Sequence, residues 1–262
     1  MQKINTLKQK ISAGNTVFGT WSALGSPAAM NCMAQAGLDF IITDMEHGAM
    51  TFETVESQLY HTEIEDCSLI VRIGEVDELA ILHALDLGAK SIMVSHVSNK
   101  EEALKVVNAT RYSPDGNRGL SPFTRNHNYS DYNIREKMAF ANTQIFVGVL
   151  IEGEEGIQNL EQICETPNLD MVYLGIYDLS QSVGEPGDVQ HPKVKNLLKK
   201  CVDIINSKGL IAGSVARNPD YLKLLIETGF KFISYRNDTS VLYGSFNEAK
   251  AIFDKENLSL NE

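Results

Sequence analysis

AQAGLDFIIT at residues 34–43, LDLGAKSIMV at 85–94 and IETGFKFISY at 226–235 repeat one grammar. In each, a helix-like stretch stops at a Gly, two residues follow, and a short apolar run begins. Glycine supplies the left-handed residue that ends a helix. Runs such as FIIT and SIMV, apolar without alternation, suit strands covered on both faces, as in a parallel sheet wrapped by helices. Working outward from these three joints, eight strands are expected at 16–23, 40–46, 68–74, 91–97, 145–153, 171–180, 210–216 and 230–236. Helices are expected near 26–36, 51–66, 75–87, 99–110, 132–143, 156–166, 193–208, 218–228 and 239–256. Eight β/α units in 262 residues match the size of an α/β (β/α)8 TIM barrel, whereas a doubly wound sheet needs an early phosphate loop that this sequence lacks. No composition break interrupts the chain, so residues 1–262 are read as one domain. The one long irregular stretch, RYSPDGNRGLSPFTRNHNYSD at 111–131, follows a helix and is expected at the far rim as a subunit contact.

Composition narrows the function. Lys plus Arg number 23 against 34 Asp plus Glu, a net charge of −11 that repels nucleic acid and anionic lipid. No stretch reaches the roughly 20 apolar residues of a membrane span, and the opening MQKINTLKQKISAGN lacks the apolar core of a secretory signal, so a cytoplasmic protein is expected. Cys32, Cys67, Cys164 and Cys201 are far apart and form no CxxC pair, as buried thiols do.

In a barrel of this kind the chemistry sits at the C-terminal ends of the strands. Strand 2 ends in Asp44-Met45-Glu46-His47, strand 3 carries Arg72, strand 5 ends in Glu152 and strand 6 in Asp178. Glu152 and Asp178 on adjacent strands offer two hard oxygen donors for Mg²⁺ or Mn²⁺; alternatively each caps the helix that follows it. Of six histidines, His47 alone follows acids at a strand end, and His96 in SIMVSHV is its nearest competitor as a base. Arg72 emerges from a buried run and must meet an anion, either Asp44 or Glu46 in an ion pair or a substrate carboxylate or enolate. Lys90 and Lys231 stand at strand starts, so no Schiff-base lysine is visible.

These residues resemble the HpcH/HpaI family of metal-dependent pyruvate aldolases, also called the 4-hydroxy-2-oxoheptanedioate aldolase family. The resemblance runs in order through FGTWSALGSP (18–27), AGLDFIITDMEHGAM (36–50), LIVRIG (69–74), ALDLGAKSIMVSHV (84–97), ATRYSPDGNRG (109–119), VLIEGEEGIQNLEQI (149–163), YLGIYDLSQSVG (173–184) and VQHPKV (189–194). It implies a homo-oligomer, a hexamer built as a trimer of dimers, with the last helix exchanged between neighbours. It also implies retro-aldol cleavage of a 4-hydroxy-2-oxo acid to pyruvate and an aldehyde. By motif position it makes Glu152 and Asp178 ligands of a divalent cation (Mg²⁺ or Mn²⁺, with Co²⁺ possible), His47 the base and Arg72 the enolate stabiliser. Asp86, in LDLGA, corresponds to an acid that raises the basicity of the histidine, although it precedes strand 4.

Departures from the commoner pattern concentrate in the pocket. Leu150 stands where a Gln is usual, Ile176-Tyr177 replaces Pro-Ala before Asp178, and Ser95 replaces a Pro. Arg72, Leu150, Tyr177, Asp178 and Arg236 are the expected substrate-binding residues. Arg236, with Arg217, is expected at the anion site that loops after strands 7 and 8 often form, there meeting an acidic or phosphorylated aldehyde, or else serving as an exposed or interface charge. Two rival readings share the same core: a malyl- or citramalyl-thioester lyase, and a non-catalytic small-acid-binding relative.

Overall fold

Eight parallel strands close on themselves in chain order: β1 (Val17–Ser22), β2 (Phe40–Asp44), β3 (Ser68–Ile73), β4 (Ser91–Val94), β5 (Phe146–Ile151), β6 (Met171–Leu174), β7 (Ile211–Ala216) and β8 (Phe232–Asn237). This computed structural model describes residues 4–63 and 66–259, with the side chains of Asp178 and Ser259 outside the description. Helices α1 (Thr6–Ser12), α2 (Pro27–Gln35), α3 (Phe52–Thr62), α4 (Glu78–Asp86), α5 (Lys100–Thr110) and α6 (Ile134–Gln144) occupy the first half. Then come α7 (Glu154–Gln158), α8 (Leu160–Ile163), α9 (Ile176–Ser182), α10 (Pro192–Ser207), α11 (Pro219–Thr228) and α12 (Asp238–Ser259). None of them is long and apolar enough to cross a membrane.

The three glycine joints do what the sequence requires of them. Gly37, Gly88 and Gly229 take φ of 83°, 102° and 102°, values a side chain resists, and each lies between a helix and the next strand.

Strand residues alternate between two cores. Phe40, Ile42, Ile70, Met93, Phe146, Leu150, Met171, Tyr173 and Phe232 fill the barrel, and Leu7 and Ile11 of α1 join them at its N-terminal end. Their neighbours Ile41, Val71, Ile92, Val149, Val172 and Ile233 pack outward against helix residues such as Met30, Val55 and Ile81. Phe40 and Phe232 stack with centroids 3.9 Å apart, and a Cβ at Gly19 would fall 2.2 Å from the Phe40 carbonyl, so only glycine admits that stack. The two-residue period continues past the apolar layers. Asp44 follows Ile42, Arg72 follows Ile70, Ser95 follows Met93, Glu152 follows Leu150 and Arg236 follows Ser234, all toward the C-terminal mouth.

Strand 6 is shorter than its sequence suggests. It ends at Leu174, and Gly175 opens α9, so Asp178 lies in a helix rather than at a strand end. The run MVYLGIY is apolar throughout, but Ile176 and Leu179, both 1% exposed, are buried three apart, as on a helix face. Expected helix 156–166 is likewise two short helices, α7 and α8, meeting at Asn159; expected helix 51–66 is seen to Thr62, and 64–65 lie outside the described residues.

The loop at 111–131 is tied to its own barrel. Arg118 pairs with Asp86 at 2.8 Å and lies 4.5 Å over the Tyr112 ring, and the Tyr112 hydroxyl meets His127 Nε2 at 2.8 Å. Burial, helped by the nearby Arg118 charge, pushes His127 down to about 4, so the ring is neutral at pH 7. Arg125 pairs with Glu63 at 3.0 Å, and Arg111 donates to the Asn168 carbonyl at 2.9 Å. These arginines, expected at a subunit contact, are engaged within their own chain.

Candidate active site

Closure of the barrel brings the ends of β2, β3, β4 and β5 around one guanidinium. Arg72, whose side chain is 5% exposed, contacts Asp44 Oδ2 at 3.3 Å, Glu46 Oε2 at 2.6 Å and Glu152 Oε1 at 3.5 Å. Its Nε donates to the Ser95 hydroxyl at 2.7 Å, and its charge lies 5.2 Å from the Trp21 ring. A buried Arg keeps its charge, so carboxylates must gather around it. Ser95 thus uses the place of the usual Pro to orient Arg72, a bond that Pro cannot form.

The turn after β2 aims the acids. Asp44 Oδ1 accepts from the backbone N–H groups of Glu46 and His47 at 3.0 and 3.1 Å, folding the chain back so that Glu46 reaches Arg72. Burial raises the Glu46 carboxyl, but the His96 hydrogen bond and the Arg72 charge outweigh it and hold the group below its ordinary 4.5. His96 lies between two acids, with Nε2 at 3.0 Å from Glu46 Oε1 and Nδ1 at 3.0 Å from Glu152 Oε2.

Metal-binding capacity resides in this cluster. Ligand atoms of Glu46, His96 and Glu152 lie within 4.8 Å of one another, beside the Arg72 guanidinium. Its carboxylate oxygens are hard donors of the kind that Mg²⁺, Mn²⁺ or Co²⁺ accepts, and the imidazole stands beside them. Of the expected ligands, Glu152 belongs to the cluster; Asp178 lies in the first turns of α9, its side chain outside the described ones.

The other expected residues divide. His47 stands at the mouth, its side chain 70% exposed and its Nε2 3.5 Å from Glu46 Oε1. Leu150, Tyr177 and Arg236 line, with Arg72 and Glu152, an open cavity of about 750 Å³. Arg217 stacks 3.8 Å over the Tyr177 ring, and Arg236 Nε donates to the Arg217 carbonyl at 3.0 Å. Asp86 is not brought to His47. It ends α4 on the N-terminal side of β4, held by Arg118, so within this chain Glu46 is the acid that faces the histidine.

Sequence reasoning assigned no site role to Trp21, Tyr173 and Ser234. The Trp21 indole N–H points to Ser234 Oγ at 2.9 Å and the Tyr173 hydroxyl at 3.1 Å, and those two oxygens are 2.7 Å apart. Burial raises the Tyr173 hydroxyl well above its usual range, so it serves as a neutral hydrogen-bonding group. Their signal was the inward period itself, since Trp21 and Tyr173 occupy inward positions near the strand ends.

The model of the HpcH/HpaI aldolase/citrate lyase family matches residues 17–243. The chain is 33% identical over 239 residues to a 4-hydroxy-2-oxo-heptane-1,7-dioate aldolase of Shigella boydii, covering 91% of this chain and 90% of that protein. It is 32% identical over 233 residues to a hydroxypyruvate/pyruvate aldolase of Chromohalobacter salexigens, covering 87% of this chain and 90% of that one. Among solved structures, an HpcH/HpaI-family protein from Burkholderia cenocepacia J2315 superposes with a TM-score of 0.88 at 29% identity, over 95% of this chain and 99% of that one. The citrate synthase SbnG gives 0.86 at 27% identity, over 96% and 98%.

Proposed function

Since the chain belongs to the HpcH/HpaI aldolase/citrate lyase family, we infer that it is a divalent-metal-dependent aldolase that cleaves a 4-hydroxy-2-oxo acid to pyruvate and an aldehyde, and catalyses the reverse condensation. The observation that carries this reading is the buried Arg72 guanidinium at the cavity wall, a fixed positive charge with no competing lysine at a strand's C-terminal end among the described residues.

Glu152 and Asp178 would hold Mg²⁺ or Mn²⁺, with Co²⁺ an alternative; when bound, the cation supplies positive charge that polarises the 2-keto group. His47, oriented by the Glu46 carboxylate, takes the proton of the C4 hydroxyl. The O–H pair becomes the aldehyde carbonyl, the C3–C4 bond breaks, and its electrons form the enolate of pyruvate. Arg72 faces the developing enolate oxygen. The proton held on His47 then returns to C3, giving the methyl group. Leu150 and the Tyr177 ring bound the donor pocket, and the first-turn N–H groups of α9 have no partner inside that helix, leaving them for the substrate carboxylate.

Pyruvate methyl hydrogen–deuterium exchange, followed by proton NMR, tests the enolate half-reaction without knowledge of the aldehyde. Exchange is expected with Mn²⁺ or Mg²⁺ and not with chelator, and His47→Ala should slow cleavage by roughly 10²-fold. No exchange with any divalent metal would sink the reading.

Arg217 and Arg236 give the cavity a cationic wall with no carboxylate partner among the described residues. We assign that wall to an anionic group on the aldehyde. Arg236→Ala is expected to raise KM about tenfold for an acidic aldehyde and to leave a neutral one unchanged; equal change for both would remove Arg236 from the substrate site. A hexameric assembly with α12 exchanged belongs to the same reading, supported by the exposed Tyr243, Phe246 and Phe253 along that helix.

A further inference from the structure

His96 has a backbone that its side chain disfavours. Its φ is 58°, in the left-handed region where a residue with a Cβ is strained. The flanking residues enforce it: Ser95 N–H donates to the Ile73 carbonyl at 3.0 Å on one side, and Val97 N–H to the Leu150 carbonyl at 3.4 Å on the other. β4 is thereby tied to the ends of β3 and β5 across this single residue. Burial does not explain the placement, because the side chain is 56% exposed. The kink aims the imidazole between Glu46 and Glu152, at 3.0 Å from each. Each ring nitrogen thus faces the oxygen of a different acid. Glu46 holds Arg72 at 2.6 Å, while Glu152 approaches the same Arg72 nitrogen at 3.5 Å. One ring therefore links the carboxylate that fixes Arg72 to the carboxylate read above as a metal ligand.

We propose that His96 is a positioning residue: it orients Glu152 for the divalent cation and keeps Glu46 on Arg72, acting from outside the coordination sphere. The inference rests on the reading of Glu152 as a metal ligand. Outer-sphere partners of ligating carboxylates set metal affinity, and their loss weakens it about 10- to 100-fold. Each ring nitrogen lies 3.0 Å from a carboxylate oxygen, the geometry of a group that orients acids.

The experiment measures Mn²⁺ affinity calorimetrically and thermal unfolding of the metal-free full-length chain for wild type, His96→Gly, His96→Asn and Glu152→Gln. Glycine accepts the left-handed backbone, so metal-free His96→Gly is expected to melt at or above the wild-type temperature. The same variant is expected to bind Mn²⁺ about 10-fold more weakly. His96→Asn, which tolerates this backbone and still donates one side-chain N–H, should recover part of that loss. Wild-type Mn²⁺ affinity in His96→Gly overturns the proposal, as does a metal-free melting temperature lowered in step with affinity, which would mark a merely structural residue. A ¹⁴N coupling in the electron spin echo of Mn²⁺ bound to wild type, absent from His96→Gly, would make His96 a ligand and also overturn it. Glu152→Gln separates the two levels: if it binds Mn²⁺ like wild type, the reading of the metal site fails, whatever His96 does.

Discussion

Glu152→Gln is expected to lose Mn²⁺ binding and to reduce cleavage by roughly 10³-fold, the equivalent of about 4 kcal/mol of transition-state stabilisation. The substitution keeps shape and removes one negative charge. Glu152 directly follows β5, two residues beyond the inward Leu150, and β5 itself carries no acid that could take its place. The fold is expected to tolerate the change. The Glu152 side chain is 24% exposed, and Asp44 and Glu46 still compensate Arg72. Calorimetric titration with Mn²⁺, steady-state kinetics and a melting curve check the three parts separately. Loss of fold rather than of metal would show that Glu152 is structural, and undiminished turnover would remove it from the site.

Arg72→Ala is expected to fail in two ways at once. Enolate formation, read as pyruvate methyl exchange, should fall roughly 10³-fold, the upper range for removing a preorganised electrostatic donor. Stability should also fall, by about 3–5 kcal/mol in urea unfolding at neutral pH, because Asp44 and Glu46 then face one another without their common cation. Arg72→Lys should not rescue it. An ammonium cannot supply the Nε bond to Ser95 together with a fork directed at Asp44, Glu46 and Glu152. A pH dependence accompanies the loss. In the wild type the Glu46 carboxyl is held below its ordinary 4.5, so its contribution to stability is present above pH 4.5 and disappears as the pH falls through the lowered value. Arg72→Ala should flatten that part of the curve of stability against pH. An unchanged acid limb would mean that His96 and Ser95 hold Glu46 down without Arg72.

Legibility differed by residue. The strand ends carrying Asp44, Arg72 and Glu152 were readable because an apolar run followed by a lone charge marks where a buried strand leaves the core. Asp178 was misplaced because continuity of apolar residues does not separate a strand from a buried helix turn, and Gly175 marks the change only once Ile176 and Leu179 are seen to share a face. Asp86 was carried over by motif position, yet α4 delivers it to the N-terminal side of the barrel and to Arg118. Ser95 was noticed only as a missing Pro; that its hydroxyl accepts from Arg72 depends on where β3 and β4 lie side by side, with Arg72 opposite Met93.

By itself the sequence determined the joints, the continuous apolar strands and, from the count of eight β/α units, the barrel, because a glycine's left-handed φ and an apolar run are local properties of the chain. It also marked Asp44, Arg72 and Glu152 as charges at strand ends. Only the tertiary structure decided which of those charges meet. Glu46, His96 and Glu152 lie 50 and 56 residues apart along the chain and come from three loops, and their meeting depends on the curvature of the sheet, on the Asp44 turn and on the left-handed kink at His96. The Asp44 turn is local, but the kink at His96 is set by hydrogen bonds to the neighbouring strand ends at Ile73 and Leu150, which no local pattern of residues encodes.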